Sequence, residues 1–297
     1  VGRVVLYISE IRPRQWTKNF IVLAPLIFSR NLFNPNMAAL SISALGIFCL
    51  LSGAIYVFND LIDFRQDREH PVKRERPIAS GRISRKGALV YGLSIAAAGL
   101  LLAGWVGSSF LWVCVAYTGL MVSYSLGLKH MVVLDVLIIS IGFVLRAIAG
   151  VEILKGMDPS VVLSPWLLVC TLFLALFLGF SKRRNELAVL AHKAALHRKS
   201  LDDYSKEFLD AMIAVVTAAT VIAYAIYTIW PGTVEKFKTG NLIYTVPFVV
   251  FGLFRYMYLV VMKDEGGSPS EVLTSDLPLI VDIGLWLIVA GLVLYLS

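Results

Sequence analysis

Asn59-Asp60-Leu61-Ile62-Asp63-Phe64-Arg65-Gln66-Asp67-Arg68-Glu69-His70-Pro71-Val72-Lys73-Arg74-Glu75-Arg76-Pro77 follows directly on an apolar run from Leu40 to Phe58. A bilayer crossing takes about 20 mostly apolar residues, so the charged stretch begins where a membrane helix ends. It holds three aspartates and five Lys or Arg residues. If the helix continues, Asp60, Asp63 and Asp67 stand at i, i+3 and i+7 and share one face. Three carboxylates so placed repel one another and need a counter-charge. Oxygen ligands of this kind around an oligophosphate suggest Mg2+. The plainer reading is a solvated loop of mixed charge. Placement at the end of a membrane helix favours the functional one.

The rest of the chain is read outward from that stretch. With 58% hydrophobic and 16% charged residues and a mean hydropathy of +0.77, the chain is an integral membrane protein; soluble domains carry about 25% charge. About nine spans are expected, near 17–34, 38–58, 86–105, 108–127, 132–150, 162–180, 210–230, 243–262 and 277–296, the first interrupted by Pro25. Val1 to Trp16 mixes apolar and basic residues and reads as an amphipathic helix on the membrane surface. The fold class is therefore all-α and polytopic: one transmembrane domain over 1–297, with a cavity on the cytoplasmic side. No cleavable leader pattern is seen, and apolar helix faces permit a homo-oligomer.

Lys and Arg set the orientation. With the N-terminus inside, inner segments hold 21 of them and outer segments 4, which the positive-inside rule makes the cytoplasmic arrangement. The two richest segments, 59–86 and 181–209, are then both cytoplasmic loops. The net charge of +7 points to anionic lipid headgroups or phosphate substrates, and no motif supports a nucleic-acid partner. Cys49, Cys114 and Cys170 lie in apolar runs without metal-ligand spacing and read as packing residues. The four histidines show no triad or zinc spacing, and no nucleotide-binding glycine fingerprint occurs.

The second charged stretch is Ser181-Lys182-Arg183-Arg184-Asn185-Glu186-Leu187. Lys182 and Glu186 are spaced to pair along a helix, and Arg183 and Arg184 would serve as membrane-side anchors. Set beside Asn59 to Pro77, the stretch reads instead as the opposite wall of one pocket, basic and suited to phosphates. Weaker candidates are Arg12-Pro13-Arg14-Gln15-Trp16-Thr17-Lys18-Asn19 and Tyr124-Ser125-Leu126-Gly127-Leu128-Lys129. Asp135, Arg146 and Arg255 lie within spans, where an ionisable group is a functional candidate by default. The segment 264–282 is acidic, with Asp264, Glu265, Glu271, Asp276 and Asp282, and suggests no role.

Asn59-Asp60-x-x-Asp63-x-x-x-Asp67, followed by Arg76-Pro77 and Ser80-Gly81, resembles the first aspartate-rich motif of the UbiA-type intramembrane prenyltransferases. The usual second motif of that superfamily carries further aspartates. Here Lys182 to Glu186 stands in its place, which is similar to the decaprenyl-phosphate 5-phosphoribosyltransferase branch. Arg12 to Asn19, His70 to Lys73, Tyr124 to Lys129, Leu134-Asp135-Val136 and Gly142 to Gly150 resemble that branch too.

The resemblance implies transfer of 5-phosphoribose from 5-phosphoribosyl 1-diphosphate (PRPP) to a polyprenyl phosphate, with Mg2+. It implies Asp60, Asp63, Lys182 and Glu186 as catalytic residues and Asp60, Asp63 and Asp67 as metal ligands. Asn59, Asp67, Lys73, Arg76, Arg183, Arg184 and Tyr124 would bind the donor, and Lys18, Arg14 and Lys129 the lipid phosphate. Two rivals stay open: a prenyltransferase acting on an aromatic acceptor, which would want a second carboxylate pair, and an anion transporter, which would want cations along the spans.

Overall fold

The chain enters on a short amphipathic helix, α1 (Arg3–Glu10), whose Val4, Val5 and Ile8 are exposed while Glu10 is buried. The computed structural model describes residues 2–190, 203–263 and 269–296. Lys193, Arg198, Lys199 and Asp202 of the second charged loop, and Asp264 and Glu265 of the acidic segment, lie outside these. Every regular element among the described residues is helical. The chain divides into two compact units, Val1–Leu163 and Ser164–Ser297.

In the first unit, Arg12 takes a left-handed conformation (φ 50°), which turns the chain out of α1 and into a 3-10 helix, Pro13–Leu23. A short helix, α2 (Ala24–Phe28), completes this segment. The first expected span is thus not one α-helix. Pro13 opens the 3-10 stretch and Pro25 falls in the first turn of α2, positions that suit a residue lacking an N–H. At about 2.0 Å per 3-10 residue and 1.5 Å per α residue the segment reaches about 30 Å, close to the hydrocarbon thickness.

Asn34 then caps α3 (Pro35–Ile62), accepting from the N–H groups of Asn36 (3.1 Å) and Met37 (3.3 Å). After α4 (Phe64–Glu69) come a 3-10 turn, Lys73–Glu75, and the spans α5 (Arg85–Val106), α6 (Ser108–Leu126) and α7 (Leu134–Lys155). α3 is the centre of the unit and packs against α5, α6, α7 and the 3-10 segment. α5 and α6 keep large apolar side chains such as Leu101, Trp105 and Trp112 exposed, as lipid-facing helices do.

Two contacts hold the 3-10 segment to α7. Gly150 lets the backbones meet: a Cβ there would lie 2.1 Å from the Val22 carbonyl oxygen. Four residues earlier, buried Arg146 donates to Asn19 Oδ1 (2.8 Å), the Tyr117 hydroxyl (2.7 Å) and the Gly142 carbonyl (3.0 Å). Asn19 passes the link on to Ser52 of α3 (3.1 Å). Arg146, ambiguous from sequence, is a buried tie between helices.

The second unit contains α8 (Pro165–Leu190), α9 (Lys206–Ile229), α10 (Pro231–Phe237), a 3-10 turn at Asn241–Thr245, α11 (Val246–Met262), α12 (Pro269–Ser275) and α13 (Leu277–Leu296). α8 packs on α9 and α11, and α11 on α13. The Tyr224 hydroxyl hydrogen-bonds Thr245 Oγ1 (2.7 Å) and accepts from Trp286 Nε1 (2.9 Å), joining α9, the 3-10 turn and α13. Arg255 is also a tie: it grips Asp276, the residue preceding α13, through two nitrogens at 3.2 and 2.8 Å. Among the described residues eight helices are long and apolar enough to cross a membrane, and with the 3-10 segment they account for the nine expected spans. The protein is a multi-pass membrane protein.

Candidate active site

The last turn of α3 delivers Asn59 and Asp60, and the helix stops at Ile62. Asp63 sits in the bend that follows (φ −83°, ψ 5°), and α4 then carries Asp67. The expectation of one continuous helix face is corrected by this bend. Asp60 and Asp67 converge: Arg76 Nη1 donates to Asp60 Oδ1 (3.0 Å) and to Asp67 Oδ2 (2.6 Å). Asp63 goes elsewhere and accepts from Lys129 Nζ (2.5 Å), which also reaches Asn59 Oδ1 (3.4 Å). Among the described residues no three carboxylate, histidine or cysteine groups close on one point. The geometry is a carboxylate pair, with the third aspartate beside it.

Each carboxylate is met by a cation. Arg12 Nη2 spans both oxygens of Asp60 at 2.5 and 2.7 Å, and its guanidinium lies over the Tyr56 ring. Asp60 is 2% and Asp67 3% exposed; buried carboxylates are tolerated only when paired. Burial pushes the Asp67 carboxyl above its usual range, against the pull of Arg76. The loop that brings Arg76 here is fixed from below, because Ile78 and Ile83 are buried with Val57 and Ala88. It is fixed from the side as well: the Ile78 N–H donates to Glu10 Oε1 (2.9 Å). Burial, and then the neighbouring charge of Asp60, push the Glu10 carboxyl up to about 7.

The second charged stretch does not start a loop. Ser181 to Leu190 continues α8. Arg183 Nη1 donates to Glu186 Oε2 (2.5 Å) and Lys182 Nζ lies 3.7 Å from Glu186 Oε1, so both cations flank one carboxylate. Lys182 remains 41% exposed, whereas Arg183 is buried. Arg184, expected to bind substrate, is instead turned into the second unit. It donates to Asp210 Oδ1 (2.8 Å) and to the carbonyls of Val260 (2.6 Å) and Val261 (3.2 Å) near the end of α11. It joins three helices.

Of the other expected residues, Arg14 and Lys73 are exposed, Lys18 and Tyr124 are half-buried, and Asp135 is fully buried in the first turn of α7. Lys129, expected to hold a lipid phosphate, is buried against Asp63 and Asn59. Two participants were missed. Arg12 stood in a motif already noted, but only its neighbours were chosen. Glu10 had a signal of its own, as the only acidic residue before Asp60.

A family model for the UbiA prenyltransferase family matches residues 20–272. The chain belongs to the UbiA prenyltransferase family. Within it, the chain is 33% identical to a decaprenyl-phosphate phosphoribosyltransferase of Mycolicibacterium smegmatis, over 98% of this chain and 92% of the relative. It is 36% identical to one of Corynebacterium glutamicum, over 91% and 80%. The UbiA fold extends to a homologue from Archaeoglobus fulgidus bound to GPP and Mg2+, with a TM-score of 0.71 at 19% identity over 97% of this chain and 99% of the other. A homologue from Aeropyrum pernix gives 0.68 at 16% identity over 92% and 96%.

Proposed function

We propose that the protein transfers 5-phosphoribose from PRPP to a polyprenyl phosphate such as decaprenyl phosphate. The products are polyprenylphosphoryl-5-phosphoribose, a precursor for arabinan and cell-wall synthesis, and diphosphate. The reaction takes place at the cytoplasmic face of the cytoplasmic membrane. One observation carries this reading. A chain matched over nearly its full length by two decaprenyl-phosphate phosphoribosyltransferases ends α8 in cations around a single glutamate, where a prenyl-diphosphate enzyme would want aspartates.

The donor set at the end of α3 fits a divalent cation. Asp60 and Asp67 already converge on one positive nitrogen, and their oxygens are the hard ligands that Mg2+ takes. Mg2+ on the diphosphate would neutralise charge on the leaving group. Asp60 and Asp67 would hold it, with Asp63 beside them.

The chain's own residues do the remaining work. Arg12 and Arg76 offer guanidinium donors to phosphate oxygens as the carboxylates take up the cation. Lys73, Lys182 and Arg183 hold phosphates of the donor, Glu186 orients Lys182 or a ribose hydroxyl, and Asn59 and Tyr124 line the donor. Lys129, with Lys18 and Arg14, serves the lipid phosphate. That phosphate has a second pKa near 6, is largely dianionic at pH 7, and attacks ribose C1 without a strong general base. The C1–O bond to diphosphate breaks from the opposite face, so the anomeric carbon inverts.

Purified protein incubated with PRPP, Mg2+ and decaprenyl phosphate should release diphosphate and form a ribosylated lipid. Product formed only from a prenyl diphosphate and an aromatic acceptor would overturn the assignment. Asp60→Asn should abolish turnover at any Mg2+ concentration; near-normal turnover removes the metal role.

A further inference from the structure

Asp282 stands in α13, the most apolar span among the described residues, whose best window has a mean hydropathy of 2.5. It is 8% exposed, and its oxygens make no hydrogen bond or ion pair with any described residue. A carboxylate at this depth is strongly disfavoured unless something meets it. The elements packed most extensively against α13 are α11, α12 and the Asn241–Thr245 turn, and α9 reaches it through Tyr224 on Trp286. Among the described residues of α11, α12 and that turn the only cation is Arg255, and its guanidinium is held by Asp276. The neighbour beneath is Gly252, where a Cβ would come within 2.9 Å of Asp282 Oδ2.

The carboxylate lines instead a shallow, open-sided cavity of about 440 Å3 between α11 and α13. Its wall is Phe248, Phe251, Leu277, Pro278, Val281 and Leu285, and Asp282 is its one ionisable lining residue. A carboxylate at one point of an apolar cleft, ionised when a cation meets it, is complementary to an amphiphile with a cationic head and a hydrocarbon chain. A primary ammonium adds three N–H donors for the two carboxylate oxygens. A choline head offers none, and an anionic head is repelled. Asp282 lies six residues past Asp276, about 9 Å along the helix, within reach of a headgroup entering beside the Arg255–Asp276 pair.

We propose that this cavity binds a membrane lipid with a primary ammonium head, of the phosphatidylethanolamine class, with Asp282 as its counter-ion and the Phe248, Phe251, Val281 and Leu285 wall against its chain. The site is independent of the transferase reading, since a lipid phosphate acceptor carries the wrong charge for it.

The test is native mass spectrometry of the full chain in detergent, with phosphatidylethanolamine, its mono- and dimethylated forms, phosphatidylcholine and phosphatidylglycerol of identical chains. One phosphatidylethanolamine should be retained with about tenfold preference over phosphatidylcholine. Retention should fall stepwise with methylation, and Asp282→Asn should lose the preference. Equal retention across the series, a preference for phosphatidylglycerol, or a preference that survives Asp282→Asn overturns the proposal. Should Asp282→Asn fail to fold, the methylation series on the unaltered chain decides alone: a graded series supports the site and a flat one removes it.

Discussion

Arg76 holds two carboxylates with one nitrogen, so its substitution acts on both at once. In Arg76→Ala, Asp60 and Asp67 face each other without the shared cation, and turnover should fall by about 100-fold or more. Arg76→Lys keeps the charge but loses the planar fork and should fall between the two. Diphosphate release under saturating PRPP measures both. Glu10 acts one step further out, by fixing the Ile78 N–H. Glu10→Ala leaves that buried donor without an acceptor, at about 1–3 kcal/mol, and frees the loop that presents Arg76. Glu10→Gln keeps an acceptor oxygen. Melting in detergent should therefore drop for Glu10→Ala and stay near the parent for Glu10→Gln. Residue identity could be read from the sequence here, but partnership could not. The spacing of Asp60, Asp63 and Asp67 says that they are near one another. That Asp63 turns to Lys129 depends on a bend after Ile62 for which the local sequence carries no glycine or proline.

At the scale of elements, hydropathy located the spans because lipid exposure demands long apolar runs, and eight of them fall on helices at or near the expected positions. The exceptions have physical causes. Pro13 and Pro25 shape the expected first span, near 17–34, into a 3-10 and α segment in place of one α-helix. The end of α8 is charged yet helical, because Lys182, Arg183 and Glu186 pair along it and Arg184 is taken up by α9 and α11. Gly150→Val would push into the Val22 carbonyl and should destabilise by about 1–3 kcal/mol or more, seen as a lower melting temperature. A helix tie also titrates. Hydrogen bonds from Arg255 hold the Asp276 carboxyl below its ordinary 3.8. A depressed folded value contributes stability above the unfolded pKa and loses it as pH falls through the folded one. Melting temperature should thus fall more steeply below about pH 4 in the parent than in Asp276→Asn.

For the whole molecule, orientation is the property that can be tested without substrate. In the proposed orientation Glu75 lies on the cytoplasmic side and Glu235 on the other, and both side chains are exposed. Cys49 and Cys114 are buried, and the half-buried Cys170 is changed to Ser in the parent to keep the background quiet. A membrane-impermeant maleimide should label Glu75→Cys only in inverted vesicles and Glu235→Cys only in right-side-out ones; the reverse pattern would invert the topology. The corner at Arg12 has a practical consequence. Arg12 meets Asp60 of the candidate site directly and Glu10 fixes the loop beside it, yet both stand in a short surface stretch just ahead of the 3-10 segment. A deletion that stops short of Pro13 leaves all eight long apolar helices untouched. It should nonetheless lower turnover, because it takes away Arg12 from Asp60 and Glu10 from Ile78.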